Sequence, residues 1–242
     1  MIKLEQNSLP SLEGFFDSFS VTKIKANEMS YGFKYPFLLF WCQYINSNLT
    51  AVICKTEQSV ILVANGNADL DEIKDFLSAV GYSSLEGEYE LIKSLVGENV
   101  KAYNVVFKKS DCIGTPCPPP NIGDVFKILY GQKNKHIAPN KFEPFYADLS
   151  HKIRHGTASA TLVNDSATAV ASHITKNAAV ISGVATLPDK QGNGLGAMAL
   201  GSLEQSLCGR NIFAAVDDAV LGFYLKSGYQ PKYKIAIYEY EE

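Results

Sequence analysis

The residues best suited to chemistry lie between Thr186 and Ala197, in the run Thr-Leu-Pro-Asp-Lys-Gln-Gly-Asn-Gly-Leu-Gly-Ala. Gly192, Gly194 and Gly196 alternate there, so the backbone can curl and bring its N–H groups close to a ligand. A helix opening at Leu195 leaves the N–H groups of its first turn without intrahelical acceptors and presents a positive dipole end. Gln191, Gly192, Asn193, Gly194, Leu195, Gly196 and Ala197 together predict a cradle for a diphosphate. The plainer alternative is a glycine-rich turn that only tightens a strand-to-helix corner.

Two elements must hold that loop: a buried strand over Ala179–Leu187 before it and a helix over about Leu195–Leu207 after it. A strand (Asn211–Val216), a helix (Ala219–Ser227) and a strand (Lys232–Tyr240) follow. Upstream, the pattern predicts a helix over Asp124–Tyr130 capped by Asp124. A second runs over Glu143–Arg154 with Pro144 in its first turn. Strands over Thr157–Val163 and Ala167–Ile174 are joined by a turn at Asn164-Asp165-Ser166. Helices mixed with hairpin-linked strands imply a mixed sheet covered by helices. The pattern Gly192-x-Gly194-x-x-Ala197 also fits a dinucleotide fingerprint, with Asp217 or Asp218 ending the next strand. That rival is set aside. Pro188-Asp-Lys-Gln intervenes between strand and first glycine, little chain follows, and the preceding strands read as hairpins, not crossovers.

The proline-rich segment Cys112–Gly123 is the strongest break in the chain, because consecutive prolines cannot join a helix interior. Before it, strands are expected over Leu38–Tyr44, Leu49–Thr56, Ser59–Ala64 and Ala102–Lys109. A helix runs from Ala68 or Asp69 to about Val80, stopped by Gly81. A strand, a helix and Gly81-Tyr82 match a strand, a helix and Gly228-Tyr229, which suggests a degenerate second copy and sets Leu77 opposite Tyr224; a glycine and an aromatic as common punctuation after a helix is the plainer alternative. The 242 residues, 46% hydrophobic and 19% charged with a net charge of -3, suit one large or two small globular domains. The charge balance gives no footprint for nucleic acid and no polybasic membrane patch. The opening residues lack a signal-peptide pattern and Pro36–Trp41 is too short to span a bilayer, so the chain is read as cytoplasmic. Five cysteines form no C-x-x-C. Cys112 and Cys117 flank a turn and could approach, but reduced loop cysteines are the preferred reading.

The stretch Thr186–Gly196 resembles the motif V-x-P-x-x-[RQ]-[RG]-x-G-[IL]-[GA] of the GNAT superfamily of acyl-CoA-dependent N-acyltransferases. Thr186 stands where valine is usual and Gln191 where arginine or glutamine is usual. Asp217-Asp-Ala-Val-Leu-Gly-Phe-Tyr224-Leu-Lys-Ser-Gly228-Tyr229 is similar to that family's N-x-x-A-x-x-x-Y-x-k-x-G-[FY], with Asp217 replacing asparagine. The resemblance covers Thr157 onward, and begins near Val100 if Ala102–Lys109 is the family's first strand. It implies an α/β (mixed α+β) GNAT fold with a splayed mixed sheet over residues 100–242, the boundary falling within about 100–122. Residues 1–99 would form a smaller N-terminal α+β domain, degenerate and GNAT-like.

The resemblance further implies acetyl-CoA, or another short acyl-CoA, as acyl donor; no metal is expected. The pyrophosphate would rest on Gln191–Ala197, and the pantetheine arm would run beside Val184, Ala185 and Thr186. Tyr224 would act as general acid; an unperturbed phenol, with a pKa of about 10, is protonated at neutral pH. An aromatic packing role is the alternative for Tyr224. The acceptor would be a small-molecule or peptide amine, with Phe145 and Tyr146, and also Asp148, at its pocket; a homodimer is left open. Cys208 is not required and is read as lying on an apolar helix face. The general base is not legible. His173 is read as a strand residue with a satisfied environment, and His151 and His155, four apart on a helix, lack a third metal ligand. A catalytically silent acyl-CoA-binding domain is the competing function.

Overall fold

The structure, a computed structural model, describes residues 1–4, 8–111, 118–131 and 141–240. The expectation for Cys112 and Cys117 falls outside these residues. The chain divides into two compact units. The first comprises Met1–Val105, Val216–Leu221 and Lys232–Glu242, and the second Val106–Ala215 and Gly222–Pro231.

In the first unit, tight turns fix the hairpins. Asn46 and Ser47, both at positive φ, join β2 (Leu38–Ile45) to β3 (Asn48–Thr56), and Ile45 pairs with Asn48. Strand β4 (Ser59–Ala64) pairs antiparallel with β3, and β1 (Ile2–Leu4) covers the outer edge of β2. Alternation then sorts the side chains. Phe40, Cys42, Val52, Cys54, Ile61 and Val63 share one face with Ile24 of α1 (Ser18–Tyr31). Trp41, Ala51, Ile53, Val60 and Leu62 meet Ile73 and Leu77 of α2 (Leu70–Val80) and Ile92 and Leu95 of α3 (Tyr89–Val96) on the other. Helix α1 was not expected from the sequence. Its inward positions include Ser20, Thr22, Asn27 and Ser30, so the apolar stripe is interrupted. The hydroxyls of Thr22 and Ser30 donate to carbonyls one turn back, at 2.7 and 2.6 Å, which lets them be buried.

After α2 the chain enters β5 (Ser84–Glu88), parallel to β4, and then α3 and β6 (Lys101–Lys109). The strand order of this unit is β1-β2-β3-β4-β5-β11-β6, where β11 (Gln230–Glu239) comes from far along the chain. Strand β11 pairs antiparallel with β5, Ile235 opposite Glu88 and Glu239 opposite Ser84, and Ala236 joins the core. It brings the first unit to about the size of the second.

The second unit orders its strands β6-β10-β9-β8-β7, with β7 Ser159–Val163, β8 Ala167–Ile174, β9 Ala178–Thr186 and β10 Asn211–Val216. Helices α4 (Ile122–Tyr130) and α5 (Phe142–Arg154) cover the face bearing Ala160, Val170 and Ala185. Helix α6 (Leu195–Ser206) covers the opposite face, where Thr161 donates to the Ala199 carbonyl at 2.9 Å. Asn121, not Asp124, caps α4, because its side chain accepts from the Gly123 N–H at 2.8 Å; Asp124 instead pairs with Lys127. Helix α7 (Asp218–Lys226) follows β10.

The two units repeat one order of elements: three antiparallel strands, a helix, then a strand parallel to the third. In the first unit that helix is α2; in the second it is α6. The expected match of Leu77 with Tyr224 is therefore corrected. Leu77 lies on α2, whose counterpart is α6, whereas Tyr224 lies on α7, one helix later. A strand, a helix and Gly-Tyr recur at two different steps of the topology, and local pattern alone cannot tell the steps apart.

Candidate functional site

Strand β10 pairs with β9 only from Asn211↔Ala178 to Ala214↔Ile181. Beyond Ile181, β9 continues to Thr186 and remains paired on its other side with β8, through Ala169↔Val184 and Ala167↔Thr186. Among the described residues, the β10-facing edge of β9 over Ser182–Ala185 thus has no strand partner, and its peptide groups can pair with an extended ligand. A bulge marks where the opening starts. The register between β8 and β9 shifts at Ser182, since Val170 faces Gly183 while Ala171 faces Ile181.

The glycine-rich loop lies just past this opening. A single 3-10 turn over Pro188–Lys190 leads into it. Gly192 (φ 81°) and Gly194 (φ 75°) both adopt the left-handed region that only glycine enters cheaply. Gly194 is the N-cap of α6 and supplies no side chain to cap it, and no acidic residue stands in the first turn. The first i→i+4 bond is Met198 N–H to Gly194 O, at 3.0 Å, so the amides before it have no intrahelical acceptor. The side chains of Gln191 and Asn193 turn into the loop. Gln191 donates to the Thr186 carbonyl at 3.2 Å and Asn193 to the Lys190 carbonyl at 3.1 Å. Both bonds brace the backbone of the loop.

Gly196 is where three elements meet. A Cβ there would stand 3.2 Å from Thr186 Oγ1, 3.8 Å from Val184 Cγ1 and 3.9 Å from the Phe223 ring. The end of β9, the start of α6 and the middle of α7 therefore converge on one residue, where an added side chain would press on the Thr186 hydroxyl. Phe223 packs edge-on against Tyr224, with ring centroids 5.2 Å apart. Tyr224 is buried, and burial alone pushes its phenol above the ordinary value, so it is fully protonated at neutral pH.

Other expected residues are placed less centrally. Val184 and Thr186 are half-buried against α6, and Ala185 is buried beneath α4 and α5. Phe145 is half-buried and Tyr146 exposed, both in an aromatic group around Phe126 with Tyr130 and Phe142. Asp148 pairs with Lys152 at 3.1 Å. Cys208 is not on a helix face: α6 ends at Ser206 and Cys208 sits in the turn after it, half-buried. His151 and His155 stack at 4.1 Å, and His155 Nδ1 lies 2.8 Å from the His151 carbonyl. Among the described residues no cluster of three metal-ligating side chains occurs. His173 Nδ1 lies 2.8 Å from Ser172 Oγ. Asp217, in the place of asparagine, caps α7 by accepting from the Val220 N–H at 3.1 Å, a role the two residue types fill equally well.

The corresponding place in the first unit is closed to an anion. Strands β4 and β5 also stop pairing early, at Ile61↔Glu86. The gap is filled there, since a Cβ on Gly87 would sit 2.6 Å from the Leu62 carbonyl and 2.9 Å from Ile92 Cδ1. Helix α2 is capped by Asp69, which accepts from the Glu72 N–H at 3.0 Å, and Asp71 and Glu72 place negative charge in its first turn.

No protein-family model and no curated protein matches the sequence. Solved structures do. A GCN5-related N-acetyltransferase from Kribbella flavida shares 17% identity over 77% of this chain and 85% of its own, with a TM-score of 0.53. A tandem GNAT protein from the clavulanic acid biosynthesis pathway shares 13% over 87% and 86%, with a TM-score of 0.53. A putative acetyltransferase from Pyrococcus horikoshii shares 9% over 98% and 93%, again with a TM-score of 0.53. The chain has the GNAT fold, and its two-unit, mixed α/β organisation fits the tandem arrangement. No helix among the described residues is long and apolar enough to cross a membrane.

Proposed function

We propose that the second unit is an acyl-CoA-dependent N-acyltransferase, with acetyl-CoA or another short acyl-CoA as donor and an amine as acceptor. The observation that carries this is the convergence at Gly196 of an uncapped helix start, an open strand edge and α7 with its buried tyrosine. The amides of Gly192–Ala197 would hold the pyrophosphate. The unpartnered edge of β9 over Ser182–Ala185 would pair with the pantetheine amides, and an N–H of this region would polarise the thioester carbonyl. The amine attacks that carbonyl directly and the coenzyme leaves as its thiol. Tyr224, kept protonated by burial, would supply the proton to the departing sulfur and be reprotonated by the one the attacking amine gives up, directly or through water. Phe145 and Tyr146 would border the acceptor.

A combined titration and turnover experiment tests this reading. Acetyl-CoA should bind the native chain, and Gly196→Asp should weaken binding about tenfold or more, because a carboxylate enters the anion site against Thr186. Thiol release across an amine library should identify an acceptor. Tyr224→Phe should then lower kcat by about 10²–10⁴-fold with little change in acetyl-CoA affinity. Binding without turnover of any amine would favour a silent acyl-CoA-binding domain. Equal affinity in folded Gly196→Asp would remove the loop from the site.

A further inference from the structure

Tyr224 is held from behind by residues that take no part in the proposed chemistry. Helix α7 ends in a left-handed cap: Gly228 has φ 87°, its N–H donates to the Leu225 carbonyl at 3.1 Å, and the Tyr229 N–H donates to the Tyr224 carbonyl at 3.0 Å. In such a cap the residue after the glycine packs on the residue three from the helix end. Here those residues are Tyr229 and Tyr224, whose rings meet edge-to-face at 5.2 Å and 89°. Tyr229 is itself 2% exposed. Lys108 Nζ stands 5.5 Å from the Tyr229 ring centroid, bonds Glu204 Oε2 at 2.6 Å and caps α7 by donating to the Ser227 carbonyl at 3.0 Å. Glu204 belongs to α6, the helix whose start would hold the pyrophosphate, and Lys108 to β6.

We infer that the Lys108–Glu204 ion pair positions Tyr224, acting through Tyr229, and so fixes the proton donor relative to the helix that holds the coenzyme. The inference rests on the acyltransferase reading and adds to it a device for aiming the acid. A pair with side-chain exposures of 29% and 12% gains little net stability over an apolar pair of the same shape. What it does supply is a fixed geometry among β6, α6 and the end of α7. Burial and then the Glu204 charge hold the Tyr229 phenol in its neutral form, so it packs against the Tyr224 ring as an uncharged wedge.

The test uses the full chain labelled with ring-¹³C tyrosine, the Tyr224 signal being assigned by its loss in Tyr224→Phe. Glu204→Gln and Lys108→Met should shift or broaden that signal, while acetyl-CoA affinity stays within about twofold. Thiol release from acetyl-CoA, with water as acceptor where no amine is turned over, should fall roughly tenfold in kcat. Lys108→Arg should restore both. Adding Glu204→Gln to Tyr224→Phe should cause no further loss, since the two act through one hydroxyl. An unmoved Tyr224 signal, or losses that multiply in the double variant, would overturn the inference. If Tyr224→Phe alone leaves kcat unchanged, the acid role fails instead, and the ring signal still decides the positioning role.

Discussion

Burial acts in the same direction on the phenols of Tyr224, Tyr229 and Tyr233 and raises each well above the ordinary value. In the unfolded chain they ionise near pH 10; in the folded chain they ionise later. Their contribution to stability is therefore complete below about pH 10 and is lost as the pH climbs toward the folded-state values. Melting temperatures should fall steeply above that pH, and Tyr224→Phe should flatten the fall; equal slopes in both proteins would mean that Tyr224 titrates as an ordinary phenol. Burial likewise pushes the Cys42 thiol up to about 11, so alkylating reagents should find no reactive thiolate there at neutral pH. At this scale the sequence was most legible where the backbone itself restricts the residue. Gly192, Gly194 and Gly228 all sit at positive φ, a region that glycine enters at least cost. The Lys108–Glu204 pair spans 96 residues and leaves no local pattern to read.

Helices and strands were legible in proportion to how cleanly their apolar residues repeat. Helix α2, with Ile73 and Leu77 inward, and the alternating strands β2 to β4 were expected within a residue or two of where they lie. Helix α1 was not, because small polar residues fill its inner face. Strand β5, Ser-Leu-Glu-Gly-Glu, was missed because Leu85 is its only large apolar residue. Strand β11 was expected as a strand, but its partners were not. Tyr233 on β11 donates to Asp17 at 2.9 Å and accepts from the Phe19 N–H at 2.9 Å, so it joins β11 to the start of α1 across more than two hundred residues. Asp17 is buried, and its carboxyl relies on that hydroxyl and on the Ser20 N–H. Tyr233→Phe should lower unfolding stability by about 1–3 kcal/mol, because it removes a donor from a buried carboxylate. A chemical denaturation series measures this; a change below about 0.5 kcal/mol would mean that Asp17 finds another partner or is protonated.

For the whole molecule, the division into units matters more than their count. The repeated topology is shared, but one copy keeps an open strand edge and an uncapped helix while the other has Ile92 in its gap and an acidic helix start. A chain beginning near Val100 would keep every residue of the proposed coenzyme site. It would lose β5, the partner of β11 over Ile235–Glu239, and the α1 contact of Tyr233. Such a chain should express poorly or melt at least about 10 °C lower than the full chain, by the usual dependence of melting temperature on lost stability. A truncated protein with native melting and native acetyl-CoA affinity would show that β11 needs no partner.

The position of β11 also sets an order of events during synthesis. The first unit's sheet lacks its sixth strand until residues 230–239 have left the ribosome, long after β5 has emerged. Until then β5 presents a ladder of unmatched peptide groups, a surface on which chaperones or other nascent chains can act. A slow, late closing step is thus expected for the half of the protein made first, reversing the usual N-to-C sequence of domain folding.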